Sequence, residues 1–74
     1  ELQIFPNPSY SKITVSDREP LGYLVITDVA GKEVVNVFSQ MNKTELDVST
    51  LPAGVYYVKI RRGSTKITRK IYVN

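Results

Sequence analysis

The chain has 74 residues, 42% of them apolar and 23% charged, with a net charge of +3. That describes one small globular domain with no room for a cofactor-sized cavity. Neither cysteine nor histidine is present, which removes disulfides, thiolate metal sites and the commonest general base, and no apolar run approaches the ~18 residues of a membrane span.

No window sustains helical apolar spacing, and β-branched residues and tyrosines dominate. Leu2-Gln3-Ile4 is a short strand that Pro6 ends, because proline has no N–H to give a ladder. Asn7 precedes a second proline and is pushed to extended geometry, so Pro6-Asn7-Pro8 predicts a rigid corner that carries the chain between sheet edges. Tyr10 falls in the following loop. Lys12–Ser16 alternates, with Ile13 and Val15 on one face. Residues 17–22 are polar and contain Pro20 and Gly22, which makes them a loop.

Residues 23–27 form the third predicted strand. Asp28-Val29-Ala30-Gly31 is a tight turn in which the aspartate bonds back to the backbone and the glycine supplies a positive φ. Residues 32–38 are the fourth strand, with Val35 and Val37 on one face and Val34 and Phe38 on the other. After a polar loop, residues 44–48 are the fifth, with Leu46 and Val48 in register. Leu51-Pro52-Ala53-Gly54 has Pro at i+1 and Gly at i+3 and predicts a sharp turn.

Residues 55–61 and Thr65–Val73 are the last two strands, joined at Gly63-Ser64, where glycine stands as a type II′ hairpin requires. That turn sets their register. Tyr56 pairs with Ile71, Val58 with Arg69 and Ile60 with Ile67 on the inner face. Tyr57 pairs with Lys70, Lys59 with Thr68 and Arg61 with Lys66 on the outer. Arg69 is an inner-face charge and implies a sheet edge, a bulge or an open end. About seven short strands between turns predict an all-β, helix-free, two-sheet antiparallel sandwich.

The charge is uneven. Residues 1–58 carry Lys12, Arg18, Lys32 and Lys43 against seven acids, whereas Lys59, Arg61, Arg62, Lys66, Arg69 and Lys70 follow with no acid among them. The carboxylates Asp17, Asp28, Glu33, Glu45 and Asp47 sit in turns or polar strand positions without the spacing of a catalytic dyad or a calcium loop. The glycines are dispersed as turn residues, so there is no phosphate cradle. No catalytic, metal or cofactor-binding residue is assigned. Asn42-Lys43-Thr44 matches a glycosylation sequon, a tripeptide short enough to arise by chance. Tyrosines and lysines on the outer face of the last hairpin could stack bases, but an OB-fold has five strands and a helix. A sugar-binding module would show a row of coplanar aromatics, and the tyrosines here are scattered.

Several blocks occur in a familiar order: Ile4-Phe5-Pro6-Asn7-Pro8, Asp28 with Gly31-Lys32-Glu33-Val34, residues 46–56 ending in Leu51-Pro52-Ala53-Gly54-Val55-Tyr56, then Val58-Lys59-Ile60, Gly63 and Lys70-Ile71-Tyr72-Val73. Over essentially its whole length the chain resembles the C-terminal sorting domains of type IX (Por) secretion cargo proteins. The resemblance implies an Ig-like sandwich that is a sorting signal and not an enzyme. It implies one C-terminal domain, residues 1–74, continuous with a longer secreted cargo that crosses the periplasm and reaches the cell surface or exterior of a Gram-negative cell. The implied partners are the outer-membrane translocon, a shuttle protein and a surface sortase that removes the domain, many cargoes then being joined to anionic lipopolysaccharide. Nucleic acid is not among them, and no cofactor is implied.

Pro6, Asn7 and Pro8 match the opening family motif, Asp28, Gly31 and Lys32 the central turn, Gly54, Val55 and Tyr56 the G-[VI]-Y motif, and Gly63 and Lys70 the terminal hairpin. Family members commonly end in a lysine or arginine, whereas this chain ends Val73-Asn74. Turn and core duties account for Gly31, Gly54 and Tyr56. The expected recognition surface is therefore the basic last hairpin: Tyr57, Lys59, Arg61, Arg62, Lys66, Lys70 and Tyr72. The rival function is an accessory sandwich of a secreted enzyme, serving as spacer, adhesin or carbohydrate-binding module.

Overall fold

The computed structural model describes residues 1–6 and 11–74. Asn7 and Pro8 of the predicted corner, and the loop position of Tyr10, lie outside the described residues. The elements are β1 (Gln3–Phe5), β2 (Lys12–Ser16), β3 (Gly22–Thr27), β4 (Glu33–Ser39), β5 (Lys43–Asp47), β6 (Gly54–Arg62) and β7 (Thr65–Val73). The described residues contain no helix, hence none long and apolar enough to cross a membrane.

The strands form two antiparallel sheets, one ordered β1-β2-β5 and the other β4-β3-β6-β7. The chain crosses between layers after β2, β4 and β5, the connectivity of an Ig-like sandwich. Two of these crossings are tied to each other, Asp17 donating its N–H to the Asn42 carbonyl at 2.9 Å and Leu21 to the Met41 carbonyl at 3.0 Å.

Alternation builds the core. Ile13 and Val15 of β2 and Leu46 of β5 face Leu24 and Ile26 of β3 and Tyr56, Val58 and Ile60 of β6, all buried. Ile71 and Val73 extend the core along β7. Inner-face residues of β4 and of the first half of β7 are less covered: Val37 is 37% exposed, Ile67 half-buried and Arg69 exposed. A three-stranded layer cannot roof the full width of a four-stranded one. Arg69 thus points inward by parity and reaches solvent by lying on an edge strand, with the β6–β7 register unbroken.

The last hairpin follows the predicted register pair for pair, from Gly54↔Val73 to Arg62↔Thr65. Gly63 has φ 57° and no described non-glycine residue has a positive φ, the sign pattern of a type II′ turn.

One local expectation is refined and another is corrected. The hydrogen-bonded turn before β6 is residues 48–51, closed by Leu51 N–H on the Val48 carbonyl at 3.1 Å, and the chain bends again at Leu51 and Ala53 within the predicted Leu51-Pro52-Ala53-Gly54 stretch. Asp47 initiates it by accepting the Ser49 N–H at 2.8 Å, an Asx turn that precedes the proline. Val34 does not share the outer face with Phe38. The β3–β4 register shifts between Ile26 and Thr27, from Ile26↔Val35 to Thr27↔Glu33. Val34 is the extra residue of this bulge and packs, with Val35, on the core.

Candidate recognition surface

The motif residues separate into those that hold the fold and those that face solvent. The Asp28 carboxylate accepts the N–H groups of Ala30 and Lys32, each at 2.9 Å. The Gly31 N–H closes the turn on the Asp28 carbonyl at 3.0 Å, and Gly31 has φ 87°. The central motif is therefore a self-capped turn between β3 and β4, in which Lys32 contributes backbone. Tyr56 is buried, and its hydroxyl donates to the Pro52 carbonyl at 2.6 Å. This is a tyrosine corner, the bond that ties an Ig-type strand to the connection leading into it. Gly54 begins β6 and Val55 is half-buried opposite Tyr72 on the outer face. Pro6 follows β1.

The outer face of the four-stranded sheet is read off the registers. One row runs Phe38–Tyr23–Arg61–Lys66, the next Asn36–Val25–Lys59–Thr68, and the next Glu33–Thr27–Tyr57–Lys70. Lys59, Arg61, Lys66 and Lys70 thus share one face with Tyr57 and Tyr72. Along the first row the Tyr23 and Phe38 rings are 4.9 Å apart, and the Arg61 guanidinium lies 5.2 Å over the Tyr23 ring. Lys70 Nζ lies 5.5 Å from the Tyr72 ring centre. A shallow groove of about 480 Å³ crosses this face, bordered by Tyr23, Val25, Lys59, Arg61, Lys66 and Thr68.

Among the described residues, Lys59, Arg61 and Lys66 form no ion pair; the side-chain pairs are Lys12–Glu45 and Arg62–Asp17. Arg61 and Lys66 stand directly opposite each other, a like-charge pair that costs stability. The Tyr23 and Tyr72 rings each already carry one of the protein's own cations. That suits the patch to carboxylates better than to stacked sugars or bases.

Arg62 is set apart from that patch. It has the inward parity of Tyr56, Val58 and Ile60, and its guanidinium donates to Asp17 Oδ2 at 2.6 Å and to the Pro20 carbonyl at 3.0 Å. The pair is largely covered, at 19% and 9% side-chain exposure, and clamps the β2–β3 connection to the end of β6. The inward parity was the available signal, since a charge on that face needs a partner. Tyr23 and Phe38 went unnoticed because their partnership depends on the β3–β4 and β3–β6 pairings.

The clamp makes stability depend on pH. The Arg62 guanidinium, then the Arg18 N–H, hold the Asp17 carboxyl at about 2, below its ordinary 3.8. A depressed folded-state value gives stability that is complete above the unfolded value, near 4, and is lost as pH falls through about 2. Asp47 is lowered too, chiefly by the Ser49 hydroxyl and then its N–H. The expected result is that Asp17→Asn lowers the melting temperature at pH 5 and that this deficit shrinks as the pH approaches 2. A deficit independent of pH would show that the charge is not what matters.

Residues 3–74 match the family model described as the secretion system C-terminal sorting domain. The chain belongs to this family, the type IX secretion C-terminal sorting domains. No curated protein matches the chain in a sequence comparison. The sorting domain is a signal for type IX secretion, a pathway that delivers its cargo to the cell surface or extracellular space, and its family is non-catalytic. Within the family pattern, the turns at Asp28 and Gly63 and the corner at Tyr56 are fold determinants. Arg62 has a structural task as the clamp on Asp17, whereas Lys59, Arg61 and Lys66 form no ion pair among the described residues.

Proposed function

We propose that the domain is a folded address label read through the outer face of its last hairpin. In this reading it is the C-terminal part of a longer cargo that crosses the periplasm. The cargo passes the outer-membrane translocon, is received by a shuttle protein and is released when a surface sortase removes the domain. Lys59, Arg61, Lys66 and Lys70, with Tyr57 and Tyr72, form the surface presented to that machinery, and Arg62 holds the hairpin in place from the inner side. The observation that carries the reading is a cluster of cations displayed by a hairpin in continuous register, in which Lys59, Arg61 and Lys66 form no ion pair among the described residues although Glu33 borders the same groove. Natural surfaces tolerate scattered charge, but a focused one-signed patch steers encounter with an oppositely charged partner.

The test fuses residues 1–74 to a periplasmic reporter in a host with this export system, with Lys59, Arg61, Lys66 and Lys70 changed to Glu. Losing the steering term is expected to reduce surface appearance about tenfold or more. Circular dichroism of the purified variant checks that the sandwich persists. Export undiminished in a folded variant removes the patch from the mechanism.

A further inference from the structure

We propose that the first half of β7 accepts an acidic β-strand from a partner, extending the four-stranded sheet by edge pairing. The other edges do not suit strand addition. β1 has 3 residues. β4 is bulged at Val34. β5 has 5 residues and carries Lys43 beside Glu45 and Asp47. β7 runs 9 residues in continuous register with no proline, glycine or acid.

The turn decides which of its backbone groups face outward. A two-residue loop at Gly63-Ser64 makes Arg62↔Thr65 a hydrogen-bonded pair, and such pairs alternate along an antiparallel ladder. Thr65, Ile67 and Arg69 therefore spend their N–H and C=O groups on β6, whereas those of Lys66 and Thr68 point away from β6 to the edge, where the exposed Arg69 guanidinium donates to the Thr68 carbonyl at 3.3 Å. Among the described residues, β7 pairs with no other strand. Outward-facing backbone groups are a template for another strand, which displaces the exposed Arg69 side chain from the Thr68 carbonyl as it adds.

Lysines on an edge strand commonly serve to block pairing. Here they select. Lys66 and Arg69 flank this half of β7 on opposite faces, so a second copy of β7 would bring cation against cation. A strand carrying glutamate or aspartate on the face beside Lys66 gains where the copy loses. The groove beside Thr68 and Lys59 gives such side chains room. The biological use rests on the address-label reading, but the binding itself does not, so peptide binding and export fail separately.

The test titrates the isotopically labelled full chain with a short peptide alternating glutamate with threonine, and follows amide hydrogen exchange. Controls are its lysine counterpart and a peptide of equal glutamate content with proline at alternate positions. Exchange at Lys66 and Thr68 is expected to slow about tenfold or more, with no new protection at Ile67 or Arg69. The glutamate peptide should bind at least about tenfold tighter than the lysine one. Thr68→Pro removes an edge-facing N–H while leaving every bond to β6, and should abolish that protection. Lys66→Glu, an exposed change that keeps the backbone, should weaken binding even if Thr68→Pro disturbs the hairpin. Equal binding of the proline peptide, protection on β4 or β5 instead, or no binding at millimolar peptide overturns the proposal.

Discussion

Gly22→Ala is expected to destabilise the domain by about 3 kcal/mol or more, against a total of roughly 4–11 kcal/mol for a chain of this size. Gly22 has φ +80°, and a Cβ there would sit 2.6 Å from the Arg61 carbonyl oxygen and 3.0 Å from Arg62 Cβ. The left-handed conformation alone costs about 1–2 kcal/mol for an L-residue. The carbonyl is backbone of a central strand, so relief requires β3 and β6 to separate where Tyr23 pairs with Arg61. The same shift loosens the Arg62–Asp17 clamp. Gly31→Ala is the control. Its φ is +87°, yet nothing lies within 4 Å of the added carbon, so only the conformational cost remains. Urea denaturation midpoints of the two variants separate these contributions. Equal losses would mean that the close approach to β6 has no energetic weight.

Ile71→Ala is the second large effect, at about 2–5 kcal/mol. Ile71 is fully buried opposite Tyr56, so truncation leaves a cavity beside the tyrosine corner. Ile67, on the same face of β7, is half-buried, and Ile67→Ala should cost about half as much or less, because less apolar surface leaves water on folding. The gradient has a functional side. β7 is anchored at its C-terminal end and looser towards the hairpin tip, where the proposed strand partner adds. In Ile71→Ala, amide exchange should accelerate along the whole of β7; in Ile67→Ala only near Thr65–Arg69. Uniform acceleration in both variants would show that β7 opens as one unit and that its tip has no separate freedom.

Much of this could be read before any coordinates. Alternation placed Ile13, Val15, Leu46, Val58 and Ile60 inside, and Gly63-Ser64 set the final register, because both depend on residues adjacent in sequence. Reading fell short where a local irregularity carried its own signal. Pro52 with Gly54 marked the bends before β6, but not the hydrogen-bonded turn that the Asp47 carboxylate initiates on Ser49. Val34 obeyed strict alternation until a bulge turned it inward. The candidate surface was legible in its β6 and β7 members and not in Tyr23 or Phe38, whose place beside Arg61 comes from strands far away in the chain.

Taken alone, the sequence determined the strands, the last hairpin and the cationic tail, since turn chemistry, a period of two and covalent order are local properties. Only the tertiary structure decided the lateral order β4-β3-β6-β7, and with it three outcomes. It made β7 an edge, stacked Arg61 on Tyr23, and turned Arg62 from the outer patch into a clamp on Asp17, 45 residues distant. The reason is that lateral order follows from which pairings bury the most apolar surface across the whole chain, a sum over distant residues that no short stretch contains.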